Sequence, residues 1–216
     1  MTYVEALKIA KPALFNTGEV KAIRDRIKTV TRQIIKPQPE NVLKVLEMGY
    51  RGFSKISRFL CSSYDGSRDW IETVKIPYDI GDILYVKETW CKLTDWEDQY
   101  PDNDKDMMTT YYRADYPEDM WEMAKWHPAI HMPKEATRIF LRVTDIRVER
   151  LQDITEDQAI SEGVRIGIGG QPYFSCCDAF TALWNSNVKK SDLYKYSWDA
   201  NPWVWVIEFE KLKVEN

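Results

Sequence analysis

The stretch Lys28-Thr29-Val30-Thr31-Arg32 concentrates residue types that can do chemistry. A lysine beside a threonine hydroxyl activates it when burial lowers the amine pKa, because the neutral amine is a base. The same residues also suit a phosphate, with Arg32 as a planar fork and Lys28 as a point charge. A plainer reading stands beside both: Lys28 is a cation favoured at a helix C-terminus, and the threonines are strand residues. Glu162 poses a second question. It precedes Gly163 at the end of a helical pattern, where the macrodipole opposes a carboxylate. A partner cation or a catalytic role would account for it, and so would simple exposure at a cost of about 0.3 kcal/mol.

A third constellation runs from Gly81 to Trp90. A Gly81-Asp82 turn leads into the strand pattern Ile83–Lys87, which ends in Glu88-Thr89-Trp90. Glu88 and Trp90 are candidates for a pocket mouth, and Trp90 serves equally well in a core. His127 and His131 have the spacing of zinc ligands on a helix, but Pro128 and Pro133 argue against a helix there, and the four cysteines are scattered. No metal site is expected. Gly167–Gly170 lacks the Lys-Ser or Lys-Thr of a phosphate loop, and two histidines in one segment make no case for a Ser-His-Asp triad. Nothing demands a cofactor.

These residues need elements to hold them. Lys11–Phe15 is short and apolar, and Pro12 confines it to an edge strand or extended entry. Asn16 stands three residues before Glu19 as a capping box, and Val20, Ile23 and Ile27 form one buried stripe. This helix is expected to end near Lys28, before the strand Thr31–Ile35. Residues 40–76 are ambiguous by pattern, with a helix over Glu40–Met48 as one reading. Residues 94–133 read as a long insertion with little regular structure, with a lid as one role. Arg138–Val148 alternates as a long strand, with a bulge or bend at Thr144-Asp145. Thr155 and Gln158 form a second capping box, and Gly163 is a natural stop. A third helix spans about Ser175–Asn187, burying Phe180, Leu183 and Trp184, and the strand Trp203–Glu210 follows.

Composition sets outer bounds. The chain has 216 residues, 44% of them apolar and 30% charged, a size that carries its own core in one elaborated domain over 1–216 with insertions at about 40–75 and 94–133. A net charge of −4 does not point to bulk nucleic-acid binding on charge alone, as a strongly basic chain would. The charge is uneven: Glu19–Lys36 carries six basic residues against two acidic, and Thr94–Met123 carries ten acidic against two basic. Nine Trp and twelve Tyr supply flat side chains that fill cores and also stack on bases. No signal peptide or membrane span is evident, and the cysteines suit a reducing cytoplasmic setting.

Taken in order, several stretches resemble the ASCH family, a branch of the PUA-like β-barrel domains. They are Pro12–Phe15, Arg26-Ile27-Lys28-Thr29-Val30-Thr31-Arg32, Gly81–Val86, Val143–Val148, Leu151–Gly163 and Trp203–Leu212. Glu88-Thr89-Trp90 and Ile130-His131-Met132-Pro133 are similar to phage and prophage members. The resemblance implies an α+β fold, a small mixed β-barrel with flanking short helices and long insertions. It also implies a pocket for RNA, single-stranded nucleic acid or a modified nucleoside. One small member class hydrolyses the amide of N4-acetylcytidine. By that likeness Thr31 would be the nucleophile, Lys28 its activating base and Glu162 the proton carrier or orienter, while other members are nucleases or plain binders.

The leading expectation is a binding protein for nucleic acid or a modified nucleoside, with Arg24, Arg32, Glu88, Trp90, Arg138 and Arg142 as ligand-binding residues. The first alternative is the N4-acylcytidine amidohydrolase using Lys28, Thr31 and Glu162. The second is a protein-interaction module in which the acidic segment docks on a basic host partner. Convergence of Lys28, Thr31 and Glu162 would mark the enzyme. Lys21, Arg24, Arg32, Arg138 and Arg142 on one face would mark the binder.

Overall fold

The computed structural model describes residues 1–51, 54–63, 66–92, 110–165 and 175–215. Along the chain run α1 (Tyr3–Ile9), β1 (Lys11–Leu14), α2 (Thr17–Arg24), β2 (Val30–Ile34), β3 (Val42–Arg51), β4 (Ser54–Ser62) and β5 (Asp69–Lys75). Then come β6 (Ile83–Lys87), β7 (Trp90–Lys92), β8 (Thr110–Tyr112), a series of short 3-10 turns, and β9 (Phe140–Arg150). The order closes with α3 (Glu156–Ser161), α4 (Cys176–Asn187), α5 (Leu193–Tyr196) and β10 (Trp203–Leu212). The protein is thus a mixed α+β chain with several sheets, and no closed barrel is found among the described strands.

The residues fall into two compact units, each built from separate pieces of chain. The first comprises Met1–Lys28, Asp82–Arg142 and Glu210–Asn216. In it β1 runs parallel to β6, from Lys11 opposite Leu84 to Leu14 opposite Lys87, and β6 runs antiparallel to the start of β9. Pro12 is tolerated because β1 ends the strand order. Ala6 and Ala10 of the α1 region pack on Ile83 and Phe140, joined by the half-buried Tyr3, Leu7 and Tyr85. Helix α1, held by a Thr2–Glu5 capping box, was not anticipated from the sequence.

Helix α2 begins as expected, with Asn16 accepting from the Glu19 amide and the Glu19 carboxylate accepting from the Asn16 amide. It ends at Arg24, short of the expected Lys28. Arg26 adopts φ 61°, and the Arg26 and Ile27 amides turn back to the carbonyls of Ile23 and Ala22. That paired closure stops the helix with an arginine where glycine is usual.

The second unit comprises Thr29–Gly81 and Val143–Phe209. Here β10 pairs antiparallel with β2, from Val204 opposite Ile34 to Glu208 opposite Val30. Its core joins Val30, Leu151, Ile154, Ala159, Phe180, Trp184, Val204 and Val206. Burying each large side chain contributes about 2 kcal/mol. Helices α3 and α4 match their expected spans, with Gly163 at φ 93° closing α3. Buried positions in β9 step from Val143 to Ile146, so the face resets across Thr144-Asp145 as the sequence suggests.

Residues 40–76 differ from the helical reading. Val42–Arg51 is a strand, antiparallel to β4, which is in turn antiparallel to β5. Hydrogen bonds to neighbouring strands override the weak local pattern of Glu40–Met48. Gly167–Gly170 and much of the acidic segment 94–123 lie outside the described residues. Cys61, Cys91, Cys176 and Cys177 are free thiols. No helix among the described residues is long and apolar enough to cross a membrane.

Candidate functional site

In the first unit, alternation along β6 buries Leu84 and Val86 and carries on to Glu88, which is 1% exposed. The Glu88 carboxylate accepts from Arg138 Nε at 2.8 Å and Nη2 at 2.9 Å. Burial pushes the Glu88 carboxyl above its ordinary range, against the opposing pull of Arg138. Arg138 reaches outward with Nη1 to Asp115 Oδ2 at 2.5 Å. The other Asp115 oxygen accepts from Arg24 Nη1, at the end of α2. Two guanidiniums therefore share one carboxylate.

Aromatic rings floor this charge cluster. The Arg138 guanidinium lies 3.8 Å from the Tyr112 ring centre. The Tyr112 hydroxyl donates to the Ala136 carbonyl, and burial pushes its pKa up to about 12 against the lowering effect of Arg138. Arg113 lies 3.9 Å and Lys21 Nζ 5.2 Å from the Trp121 ring centre. Indole N–H bonds from Trp121 to the Tyr116 carbonyl and from Trp126 to the Trp121 carbonyl fix these rings. Trp90 is buried, with its ring centre 5.0 Å from that of His127 and its main chain paired to His127. Its indole N–H is buried without a hydrogen-bond partner. Arg142 pairs instead with Glu210 at 3.6 Å, a half-exposed surface contact of small energy.

Lys28 is buried, with its amine 3.5 Å from Glu19. In the second unit, Thr31 is half-buried on β2, while Arg32 turns to the opposite face with Val30. The Arg32 side chain is fully enclosed. Nη1 meets Glu162 at 3.1 Å, and Nη2 meets Gln158 at 2.8 Å and Glu149 at 3.3 Å. Its guanidinium lies 5.9 Å from the Phe180 ring centre. This bears on the question raised by a carboxylate at a helix C-terminus: Arg32 is a partner cation of Glu162. Arg147 extends the network by pairing with Glu149 at 2.6 Å and with Asp145 and Glu208.

The structure thus brings Arg24, Glu88 and Arg138 together through Asp115, and joins Arg32 to Glu162. Of the five cations expected on one face, Arg32 has an enclosed side chain and is not a surface cation. Asp115, Arg113, Trp121 and Glu149 were missed in the sequence; the interleaving of Tyr112, Arg113, Tyr116 and Trp121 was the available signal. The second unit also presents Tyr194, 75% exposed with Lys195 Nζ 5.3 Å from its ring centre, and Tyr196, with Lys36 Nζ at 4.8 Å. His131 ends a 3-10 turn, and no group of metal-ligating side chains that could hold an ion occurs among the described residues. No family model, no curated protein and no solved structure matches the chain.

Proposed function

We propose that this protein binds single-stranded nucleic acid or a modified nucleoside, as a domain of ASCH type whose strands make a small PUA-like barrel. The supporting observation is the set of cations held close over aromatic rings in the first unit: Arg138 on Tyr112, with Arg113 and Lys21 on Trp121. Guanidinium planes and indole faces both accept a stacked base, and the adjoining charges meet phosphate. The exposed Tyr194 with Lys195 in the second unit has the same character. Fluorescence anisotropy of short single-stranded RNA and DNA tests the reading. Wild type binds at low salt, and Trp121→Ala weakens binding at least about fivefold, the lower end for loss of one stacking platform. Absence of binding by wild type contradicts it.

The amidohydrolase is the second reading. It is favoured by burial of Lys28 three residues before Thr31 and by burial of Glu162. Binding ranks first because Arg32 holds the Glu162 carboxylate while Thr31 projects from the other face of β2. Chromatography of N4-acetylcytidine incubated with wild type and Lys28→Ala separates the two. Deacetylation lost in the variant would promote the enzyme.

A further inference from the structure

The Arg24–Asp115–Arg138 arrangement is unusual in what it leaves accessible. Arg138 is held from behind, with Nε and Nη2 on the buried Glu88 and its guanidinium carbon 3.8 Å from the Tyr112 ring centre. Only Nη1 faces Asp115. Arg24 approaches the same carboxylate from α2, with a side chain 40% exposed, and Asp115 itself is 33% exposed. An exposed ion pair contributes at most about 1 kcal/mol, so stability alone is a weak reason to aim two guanidiniums at one small anion.

The charge balance points the same way. Glu88 neutralises Arg138 from inside, and Asp115 neutralises Arg24. Displacing the Asp115 side chain leaves one net positive charge and two guanidinium edges facing solvent. A phosphate monoester brings three oxygens and nearly two charges to such a pair, where a carboxylate brings two oxygens and one charge.

We infer that Arg24 and Arg138 form a phosphate fork and that Asp115 is its internal occupant, a built-in competitor for the phosphate of an incoming nucleotide. The inference rests on the nucleic-acid reading for its biological ligand, but the fork itself is defined by phosphate chemistry alone. Glu88 and Tyr112 act as positioning residues that hold one prong still. The 5′-terminal phosphate of a strand and an internal phosphodiester are both candidate sources, and they differ in charge and in free oxygens.

Isothermal titration calorimetry with inorganic phosphate and with pyrophosphate tests the fork directly. Asp115→Asn should bind both at least about tenfold more tightly than wild type, because the competing charge is gone. Asp119→Asn, an equal charge change at an exposed neighbour, should bind as wild type does. Adding Arg24→Gln to Asp115→Asn should abolish the gain; Arg24 is exposed, so this variant keeps the fold, whereas loss of Arg138 would strand buried Glu88. Short single-stranded RNA with a 5′-phosphate or a 5′-hydroxyl then identifies the source. A gain confined to the phosphorylated strand assigns a terminal phosphate, and an equal gain for both assigns the backbone. If Asp115→Asn gains phosphate affinity but no form of the protein binds RNA or DNA, the fork stands and the nucleic-acid reading falls. If RNA binds but Asp115→Asn gains nothing, or Asp119→Asn gains as much, the fork is overturned and the nucleic-acid reading survives.

Discussion

Glu88 and Arg138 form a two-pronged pair, with Nε and Nη2 of the arginine on the two oxygens of a carboxylate that is 1% exposed. The residues are 50 positions apart, one just beyond β6 and the other just before β9. Removing the guanidinium leaves a carboxylate with a raised pKa in the interior. Arg138→Ala should therefore lose about 3 kcal/mol of stability in urea unfolding. Arg138→Lys, which keeps the charge but not the fork, should fall between that variant and wild type. A loss under about 1 kcal/mol for the alanine variant would mean that Glu88 finds another partner.

Arg32 and Glu162 should behave as a coupled pair in the second unit. Arg32→Ala should cost about 4 kcal/mol, since it leaves the Glu162 carboxylate buried without its guanidinium. The double variant Arg32→Met, Glu162→Leu should recover part of that loss, because it removes the buried charge along with its partner while Gln158 and Glu149 still lose their bonds to Arg32. Additive losses in a double-mutant cycle would show that the two side chains do not depend on each other.

Arg26 adopts a left-handed backbone conformation at φ 61° while its side chain is exposed. Arg26→Gly should thus stabilise the protein, by about 0.7 kcal/mol, by relieving the conformation that closes α2. Gly163, which closes α3 at φ 93°, supplies the contrast: Gly163→Ala should destabilise. Thermal unfolding of both variants checks the opposite signs.

Tyr112 predicts a pH dependence. Its folded pKa is raised from 10.0 to about 12, so the folded form holds its proton while the unfolded form gives it up. The resulting stability is fully present below pH 10.0 and is lost as pH rises through about 12. Tyr112→Phe should flatten the decline in unfolding free energy over that alkaline window relative to wild type. Identical pH profiles would contradict the burial of this hydroxyl.

Much of this framework was legible locally. The Asn16–Glu19 and Thr155–Gln158 capping boxes are three-residue spacings, and both start helices where the pattern put them. Strand β6 and helix α4 announce themselves by periodicity. The end of α2 was not legible, because an arginine in a glycine conformation carries no local signal. Strand β3 depends on its bonds to β4, which a window over Glu40–Met48 cannot contain. The candidate site was half legible. Arg24, Glu88 and Arg138 stood out, but Asp115 looked like one more solvated charge in an acidic stretch, since its tie to Arg24 spans 91 residues. Glu162 stands out because the macrodipole opposes a carboxylate at a helix C-terminus, and Arg32 is a cation that meets it there.

The most direct test of nucleic-acid binding is the salt dependence of affinity for a short single-stranded RNA. Engagement of Lys21, Arg24 and Arg113 predicts that log K falls with log salt at a slope of about −2, and that Arg113→Gln reduces the slope by about 0.7. A slope near zero, or one unchanged in Arg113→Gln, would contradict the assignment of this cation–aromatic cluster as the nucleic-acid surface.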